Sequence, residues 1–303
     1  MKKIIASIDI GTNTVSLLIA EISQSKISQL FHSEHITALG EGLSSNNYIK
    51  TESINRSIKH LFEFKKIIKK YNVQKELCVA TSALRQAKNK ISIINKIKSI
   101  GFFPLIISGE EEAQYIGNII KYEFPNIINN TLIIDIGGGS TELIYFYKSK
   151  IKLIQSIEIG SVTLFEKFFS DPINKTNINE CVKHINYKLN NSILSGLKCS
   201  NIIGVGGTIT SLSALFNNVF PYNPKKVHKS ILPINSINYL SNQLLNNTIE
   251  ERTNISLFEY RRARVIPAGL LIFSQIMTLN GLKKLLVCEK GLRWGVLLED
   301  LFN

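Results

Sequence analysis

The sequence predicts an α/β fold made of two related halves, and three observations carry that prediction. The chain has 303 residues, enough for two domains of ordinary size. An apolar strand, Asp-Ile-Gly, a short polar turn and a second apolar strand occur from residue 3 and again over 131–147, with the two aspartates 126 residues apart. Around these copies, strand-length apolar runs alternate with stretches of helical periodicity. A repeat at this spacing points to two halves facing each other rather than to a solenoid, whose period is shorter.

Residues 3–10 read as a strand, and after the turn GTNT the run VSLLIAEI from Val15 completes a hairpin. A helix is predicted near 52–70, a strand at 76–80, a helix from about 83, a strand at 103–107 and a helix from 109. The segment from Phe124-Pro125-Asn126 to Asn129-Asn130 mixes a proline with poor helix and strand formers, which puts the boundary between the halves at 124/125. The second hairpin, TLIIDIGGGSTELIYFY, follows. Next come a helix after SDPINKTN, a strand at 201–207, a helix from Thr208, an irregular stretch around NVFPYNPKKVHK, and helical periodicity from Asn254 through Met277.

Composition narrows the class. Apolar residues make up 44% against 19% charged, which excludes a disordered or collagen-like chain. The longest strongly apolar stretch, Val265 to Met277, contains Pro267 and Gln275 and is too short for a bilayer, so no membrane partner is expected. The apolar run behind Lys2 and Lys3 is cut at Asp9 before a secretory core develops, and a cytoplasmic protein is expected. Cys78, Cys181, Cys199 and Cys288 are scattered, and the five histidines show no ligand spacing, so zinc and disulfide frameworks are not expected. The net charge of +13 favours an acidic partner, although a lysine-rich composition is an equal account of it. Only seven basic residues are Arg and no nucleic-acid motif is present, so nucleic acid is not the expected partner.

The chemistry concentrates in the turns. An aspartate at a strand end, followed by Ile-Gly and hydroxyl residues, sets a carboxylate beside clustered backbone N–H groups, a turn that can hold phosphate and metal together. A single such turn is ordinary hairpin geometry. Here Asp9-Ile-Gly11-Thr12-Asn13 is matched by Asp135-Ile-Gly137-Gly138-Gly139-Ser140-Thr141-Glu142, whose three glycines permit positive φ and close approach to a ligand. A third glycine loop, Gly204-Val-Gly206-Gly207-Thr208, lies between a strand and a helix start, where anions bind.

In SGEEEAQYIGN, Ser108 and Glu111 have capping-box spacing, which makes Glu111 structural. Glu110 shares a helical face with Gln114, Asn118 and Lys121 and reads as solvated. Glu112 shares its face with Ile116 and Ile119, so it is the carboxylate expected to point into a desolvated site as a general base. In VATSALRQAKN, Thr81 or Ser82 can cap a helix whose first turn contains Arg85. Either a bound phosphate or an ion pair with a nearby carboxylate accounts for a cation there. KKIIKK at 65–70 and YRRAR at 260–264 read as solvated helix faces, and His228 as a surface imidazole.

Taken together, SIDIGTNTVSLLIAE, VATSALRQAKN, IISGEEEAQYIG, IIDIGGGSTEL, IEIGSVTLFE, GVGGTITSL and GLRWGVLLEDL resemble the exopolyphosphatase / guanosine pentaphosphate phosphohydrolase family nearly end to end. The resemblance implies two ribonuclease H-like domains of the actin, Hsp70 and sugar kinase superfamily flanking an interdomain cleft. The first would span 1–124, with a C-terminal helix at about 290–303 as a candidate addition, and the second 125–303. It implies that Glu112 is the catalytic base and Arg85 a phosphate-facing arginine. Asp135, Glu142 and Asp9 would be ligands of Mg²⁺ or orienters of its waters. Gly11, Thr12, Asn13, Gly137, Gly138, Gly139, Ser140, Thr141, Gly206, Gly207 and Thr208 would bind phosphate, with Gly160 and Ser161 also lining the cleft. Thr12 and Thr14 stand where serines are common, and Arg264 where an acidic residue often precedes Val-Ile-Pro.

The implied activity is release of terminal orthophosphate from inorganic polyphosphate, with guanosine pentaphosphate hydrolysis and non-catalytic sensing of polyphosphate or guanosine tetraphosphate as alternatives. A kinase of the same superfamily is a further one. A homodimer is consistent with the resemblance.

Overall fold

The structure, a computed structural model, describes residues 2–23, 26–256 and 258–302. Contacts divide the chain into two compact units, Met1–Ile119 with Leu292–Asn303, and Ile120–Gly291. The division thus falls inside the helix that begins at Gly109, and the last helix joins the first unit.

The first unit contains β1 (Lys3–Ile10), β2 (Thr14–Ser23), β3 (Lys26–Ile36), α1 (Leu43–Asn46), α2 (Thr51–Lys70), β4 (Lys75–Ala80), α3 (Ser82–Gln86), α4 (Lys90–Ser99), β5 (Leu105–Ile106) and α5 (Gly109–Glu123), whose end lies in the second unit. Its sheet runs β3-β2-β1-β4-β5, with the first three strands antiparallel and β4 and β5 parallel to β1. Ile5, Ala6, Ile8 and Ile10 of β1 are all fully buried, as a central strand covered on both faces requires. Ala6, Ile8 and Ile10 join a core with Leu61 and Phe64 of α2 and Ile93 and Ile97 of α4. Ile5 belongs to a second cluster, with Leu18, Ile119 and Trp294.

The second unit contains β6 (Thr131–Ile136), β7 (Thr141–Tyr147), β8 (Lys150–Ile157), α6 (Ser161–Phe168), α7 (Lys175–Asn190), β9 (Asn201–Val205), α8 (Gly207–Phe216), α9 (Pro224–Val227), β10 (Ile231–Pro233), α10 (Ile234–Asn246), α11 (Ile249–Ser256), α12 (Tyr260–Asn280) and β11 (Lys284–Val287), after which α13 (Leu292–Phe302) returns to the first unit. Its sheet runs β10-β11-β9-β6-β7-β8. The series β8-β7-β6-β9 repeats β3-β2-β1-β4 in order and in strand direction. Each unit therefore carries the ribonuclease H-like sheet that the sequence resemblance implied.

Helical periodicity over 254–277 resolves into the end of α11 and most of α12. At 21 residues α12 is long and apolar enough to cross a bilayer, but 67% of its most apolar window is buried, and it packs on α6, α10 and α11 as a core helix. A guanidinium group is sealed inside this unit. Arg252, fully buried, donates from Nε to Leu244 O (2.6 Å), from Nη2 to Asn247 O (2.7 Å) and from Nη1 to Ala263 O (3.4 Å). It thereby satisfies carbonyls from the end of α10, the following residue and the first turn of α12.

Glu123 and Lys290, near opposite ends of the segment that forms the second unit, are bonded to each other at 2.6 Å. His228 Nε2 lies 3.2 Å from the same carboxylate and Lys229 Nζ 3.9 Å from it, so His228 is a half-buried partner and not a free surface imidazole. Burial alone would raise the Glu123 pKa, but hydrogen bonds from His228 and Lys290 outweigh it and hold the carboxyl at about 2.

Two stability measurements test this packing. A Cβ at Gly295 of α13 would lie 2.2 Å from Tyr115 O on α5. Gly295→Ala should therefore lower the urea midpoint by an amount equivalent to about 1–3 kcal/mol. A carboxylate with a depressed folded pKa contributes stability above its unfolded pKa and loses it as pH falls through the folded one. The stability advantage of the native chain over Glu123→Gln should be full above pH 4.5 and fade as pH falls toward 2.

Candidate active site

Each unit gathers its candidate residues at the C-terminal ends of its parallel strands, where open α/β sheets place ligands. In the first unit, β1 leads into Asp9–Asn13, β4 into the turn carrying Arg85, and β5 into the segment that opens α5 at Glu112. Backbone bonds from Thr81 N–H to Ile10 O (3.2 Å) and from Ile107 N–H to Ala80 O (3.1 Å) hold the three strand ends in line. In the second unit, β6 leads into Gly137–Ser140 and β9 into Gly206–Thr208.

Both hairpin loops turn their carbonyls inward. Gly11 N–H closes the first turn on Thr14 O at 2.9 Å, while Gly40 N–H and Ala38 N–H donate to Thr12 O (2.8 Å) and Asn13 O (2.9 Å). Gly40 is needed there, since a Cβ would meet Thr12 Cγ2 at 2.4 Å. The second turn closes the same way, from Gly137 N–H to Ser140 O at 3.0 Å. Its carbonyls accept from the start of α6, Ser161 N–H to Gly137 O (3.0 Å) and Val162 N–H to Gly138 O (2.9 Å). Among the described residues, no hydrogen bond occupies the N–H groups of Thr12, Asn13, Gly138, Gly139 or Ser140. With the carbonyls engaged on one side, these amides are the groups each loop can offer to an anion.

Two readings of these segments need correction. The Gly137–Gly139 run does not use positive φ. Gly160 instead packs so closely on it that a Cβ would lie 2.5 Å from the Gly138 carbonyl, and Ser161 spends its N–H on Gly137. Gly160 and Ser161 thus support the loop from behind. Thr141 likewise looks inward, fully buried with its hydroxyl donating to Ile159 O at 2.6 Å.

Gly206 does adopt positive φ, +90°, and a Cβ there would lie 2.4 Å from Asp135 Oδ1. Gly207 and Thr208 start α8, a helix of ten residues, and Thr208 is buried. Arg262, from the YRRAR run taken as a solvated face, lies at this helix start and donates to Gly207 O (3.1 Å) and Ser211 Oγ (3.0 Å). Sequence reasoning missed it because periodicity puts it on α12 and says nothing of α8. Arg264 sits over the Phe165 ring at 4.9 Å.

The carboxylates differ between copies. Asp9 Oδ1 is buried without a hydrogen-bond partner, as is Thr12 Oγ1. Burial pushes the Asp9 pKa up to about 7, with Arg293 opposing and Glu34 adding to the rise. Asp135 faces Glu142 across the β6–β7 ladder, where Asp9 faces Ser16 across β1–β2. Glu142 is 1% exposed, and Ser156 Oγ donates to its Oε1 at 2.8 Å. Two carboxylates opposed on a ladder repel each other unless a cation offsets them. Hard oxygen donors, one of them an orphaned buried carboxylate oxygen, suit Mg²⁺ rather than a softer metal.

Of the three consecutive glutamates, only Glu112 is buried. Glu110 and Glu111 are exposed, and Glu111 forms the capping box, accepting from Ser108 N–H (2.7 Å) and donating its own N–H to Ser108 Oγ (3.1 Å). Arg85 Nη1 donates to Ile107 O at 2.8 Å and contacts Glu112 Oε2 at 3.4 Å. The dipole argument for a phosphate at Arg85 fails on length, because α3 has five residues and Arg85 is in its last turn, with no side-chain cap from Thr81. The ion pair that the sequence allows for Arg85 is formed, with Glu112 as its partner.

Comparison with known proteins places this geometry. The sequence profile of the Ppx/GppA phosphatase family matches residues 18–303. A bifunctional 3-dehydroquinate synthase/phosphatase of Fusobacterium nucleatum is 33% identical over 98% of this chain, which spans 46% of that longer protein. Exopolyphosphatase 2 of Mycobacterium tuberculosis is 25% identical over 97% of this chain and 98% of its own length. The crystal structure of the Aquifex aeolicus Ppx/GppA family member superposes with a TM-score of 0.83 at 33% identity, covering 100% of this chain and 98% of that one. With the profile running from β2 to the C-terminus and the fold shared end to end, this chain belongs to the Ppx/GppA phosphatase family.

Proposed function

We propose that this chain is a phosphoanhydride hydrolase that releases orthophosphate from the end of inorganic polyphosphate. The observation that carries the reading is Glu112, a buried carboxylate singled out from three and held against Arg85 beside the strand ends that bear an amide-lined loop. A general base must be sheltered from bulk water and fixed enough to aim a water molecule, and the burial of Glu112 and its contact with Arg85 support that role. The near-complete length match to a protein named exopolyphosphatase supports the polymer as substrate.

In the proposed mechanism Glu112 orients the attacking water and takes its proton. Arg85 has donors beyond those spent on Ile107 and Glu112, and these would face charge developing on the transferring phosphoryl group. The open amides of the two hairpin loops would bind phosphate oxygens, supplying stabilisation without reorganisation. Mg²⁺, when bound through Asp9 or through Asp135 and Glu142, would neutralise phosphate charge. Ser156 would aim the Glu142 carboxylate by donating a hydrogen bond to it.

Glu112→Gln should retain polyphosphate binding while kcat falls about 10²- to 10⁴-fold, read as phosphate release under saturating substrate. Wild-type turnover in that variant would remove Glu112 from the mechanism. Measured side by side, phosphate release should be faster from polyphosphate than from guanosine pentaphosphate, and KM for the polymer should rise with added NaCl, since the chain carries +13. Preference for the nucleotide would transfer the assignment to guanosine pentaphosphate. Tight binding of either with no phosphate release in Mg²⁺ would leave a sensor.

A further inference from the structure

The sequence places no two histidines at metal-ligand spacing, yet folding brings two of the five together. His35 on β3 and His60 on α2 stack with ring centroids 3.9 Å apart and planes 10° from parallel. Glu63, one helical turn beyond His60, reaches His60 Nδ1 at 3.0 Å. One nitrogen from each ring and one Glu63 oxygen all lie within 4.8 Å of one another. We infer that His35, His60 and Glu63 form a binding site for a first-row transition-metal ion of the Zn²⁺ type, separate from the carboxylate positions assigned to Mg²⁺.

The chemistry selects the ion. Imidazole suits Zn²⁺, Co²⁺ or Ni²⁺ and is a poor ligand for Mg²⁺, so two histidines and one carboxylate discriminate against the cation that the phosphate loops favour. Only neutral imidazole can ligate. Ser33 Oγ lies 3.1 Å from His35 Nε2 and restrains that ring. His60 and Glu63 are 24% and 43% exposed at their side chains, which leaves a path for the ion and room for water to complete its coordination. A tetrahedral site with bonds of about 2.0–2.1 Å needs donor atoms roughly 3.3 Å apart, so closure asks for a swing of the half-exposed His60 and Glu63 side chains.

The position gives the ion leverage on the first loop. Beyond His35, β3 runs into Thr37, Ala38 and Gly40, the strap whose amides hold the carbonyls of Thr12 and Asn13. One turn before His60, Arg56 already ties α2 to that strap through Thr37 O at 2.8 Å and Glu41 at 3.1 Å. A metal joining β3 to α2 would stiffen the same joint.

Calorimetric titration of the chelator-treated chain with ZnCl₂ in excess MgCl₂, which occupies the carboxylate positions, should show a single Zn²⁺ equivalent. Co²⁺ in its place should give visible absorption of a low-symmetry nitrogen and oxygen site. His60→Gln and His35→Gln should each weaken Zn²⁺ at least about tenfold, with Glu63→Gln also weakened and His184→Ala unchanged. Zn²⁺ should also slow amide exchange at Ala38 and Gly40. Wild-type affinity in the His35→Gln/His60→Gln pair, or no Zn²⁺ binding to the native chain, would overturn the inference. Should His35→Gln unfold, His60→Gln and Glu63→Gln on the exposed side decide it.

Discussion

The site depends on how each hairpin loop disposes of its own carbonyls. A tight turn has N–H and C=O groups pointing both ways, and an anion is accepted only where the oxygens are engaged elsewhere. In the second unit the start of α6 takes up the oxygens of Gly137 and Gly138. That contact exists because residue 160 has no Cβ; with one, α6 would be pushed off the loop. In the first unit a strap, not a helix, does the same work, and Gly40 plays the part of Gly160. Two different supports thus give each unit a loop of the same kind, with its carbonyls engaged and its amides open.

Charge is then distributed by burial. Asp9, Glu112 and Glu142 are three of the carboxylates gathered near the strand ends, and each is removed from water to a different degree and with different company. Arg85 attends Glu112, Ser156 attends Glu142, and Asp9 keeps a buried oxygen without a partner, which is why its pKa rises to about 7. Desolvated carboxylates are costly, and they persist where a cation or a reacting proton gives them a counterpart. Two other charged side chains are surrounded by partners instead. Glu123 gathers His228, Lys229 and Lys290, and Arg252 three carbonyls, in positions that brace the second unit.

Much of the architecture was legible because the signals were local. The alternation of apolar residues in β1 and β6, the Asp-Ile-Gly turns and the offset between them are properties of short segments, and the sheets follow them closely. The choice of Glu112 among three glutamates came from the 100° advance per residue, and burial falls on that residue alone of the three. The readings that changed were those needing a distant partner. Arg85 looked like a helix-start cation until α3 proved to be a single turn, and Gly160 and Ser161 looked like ligand contacts until α6 proved to lean on the glycine loop.

By itself the sequence determined the two-fold repetition of the hairpin, the candidate residues in its turns and the face on which Glu112 would lie, since periodicity and turn chemistry operate within a few residues. The tertiary structure decided which partners those residues keep. Arg262 reaches α8 from a helix that begins more than fifty residues later, and His35 meets His60 only because β3 and α2 pack together. Neither meeting leaves a trace in spacing, because the distance between side chains on different elements is set by the packing of a shared core and not by the order of residues along either one.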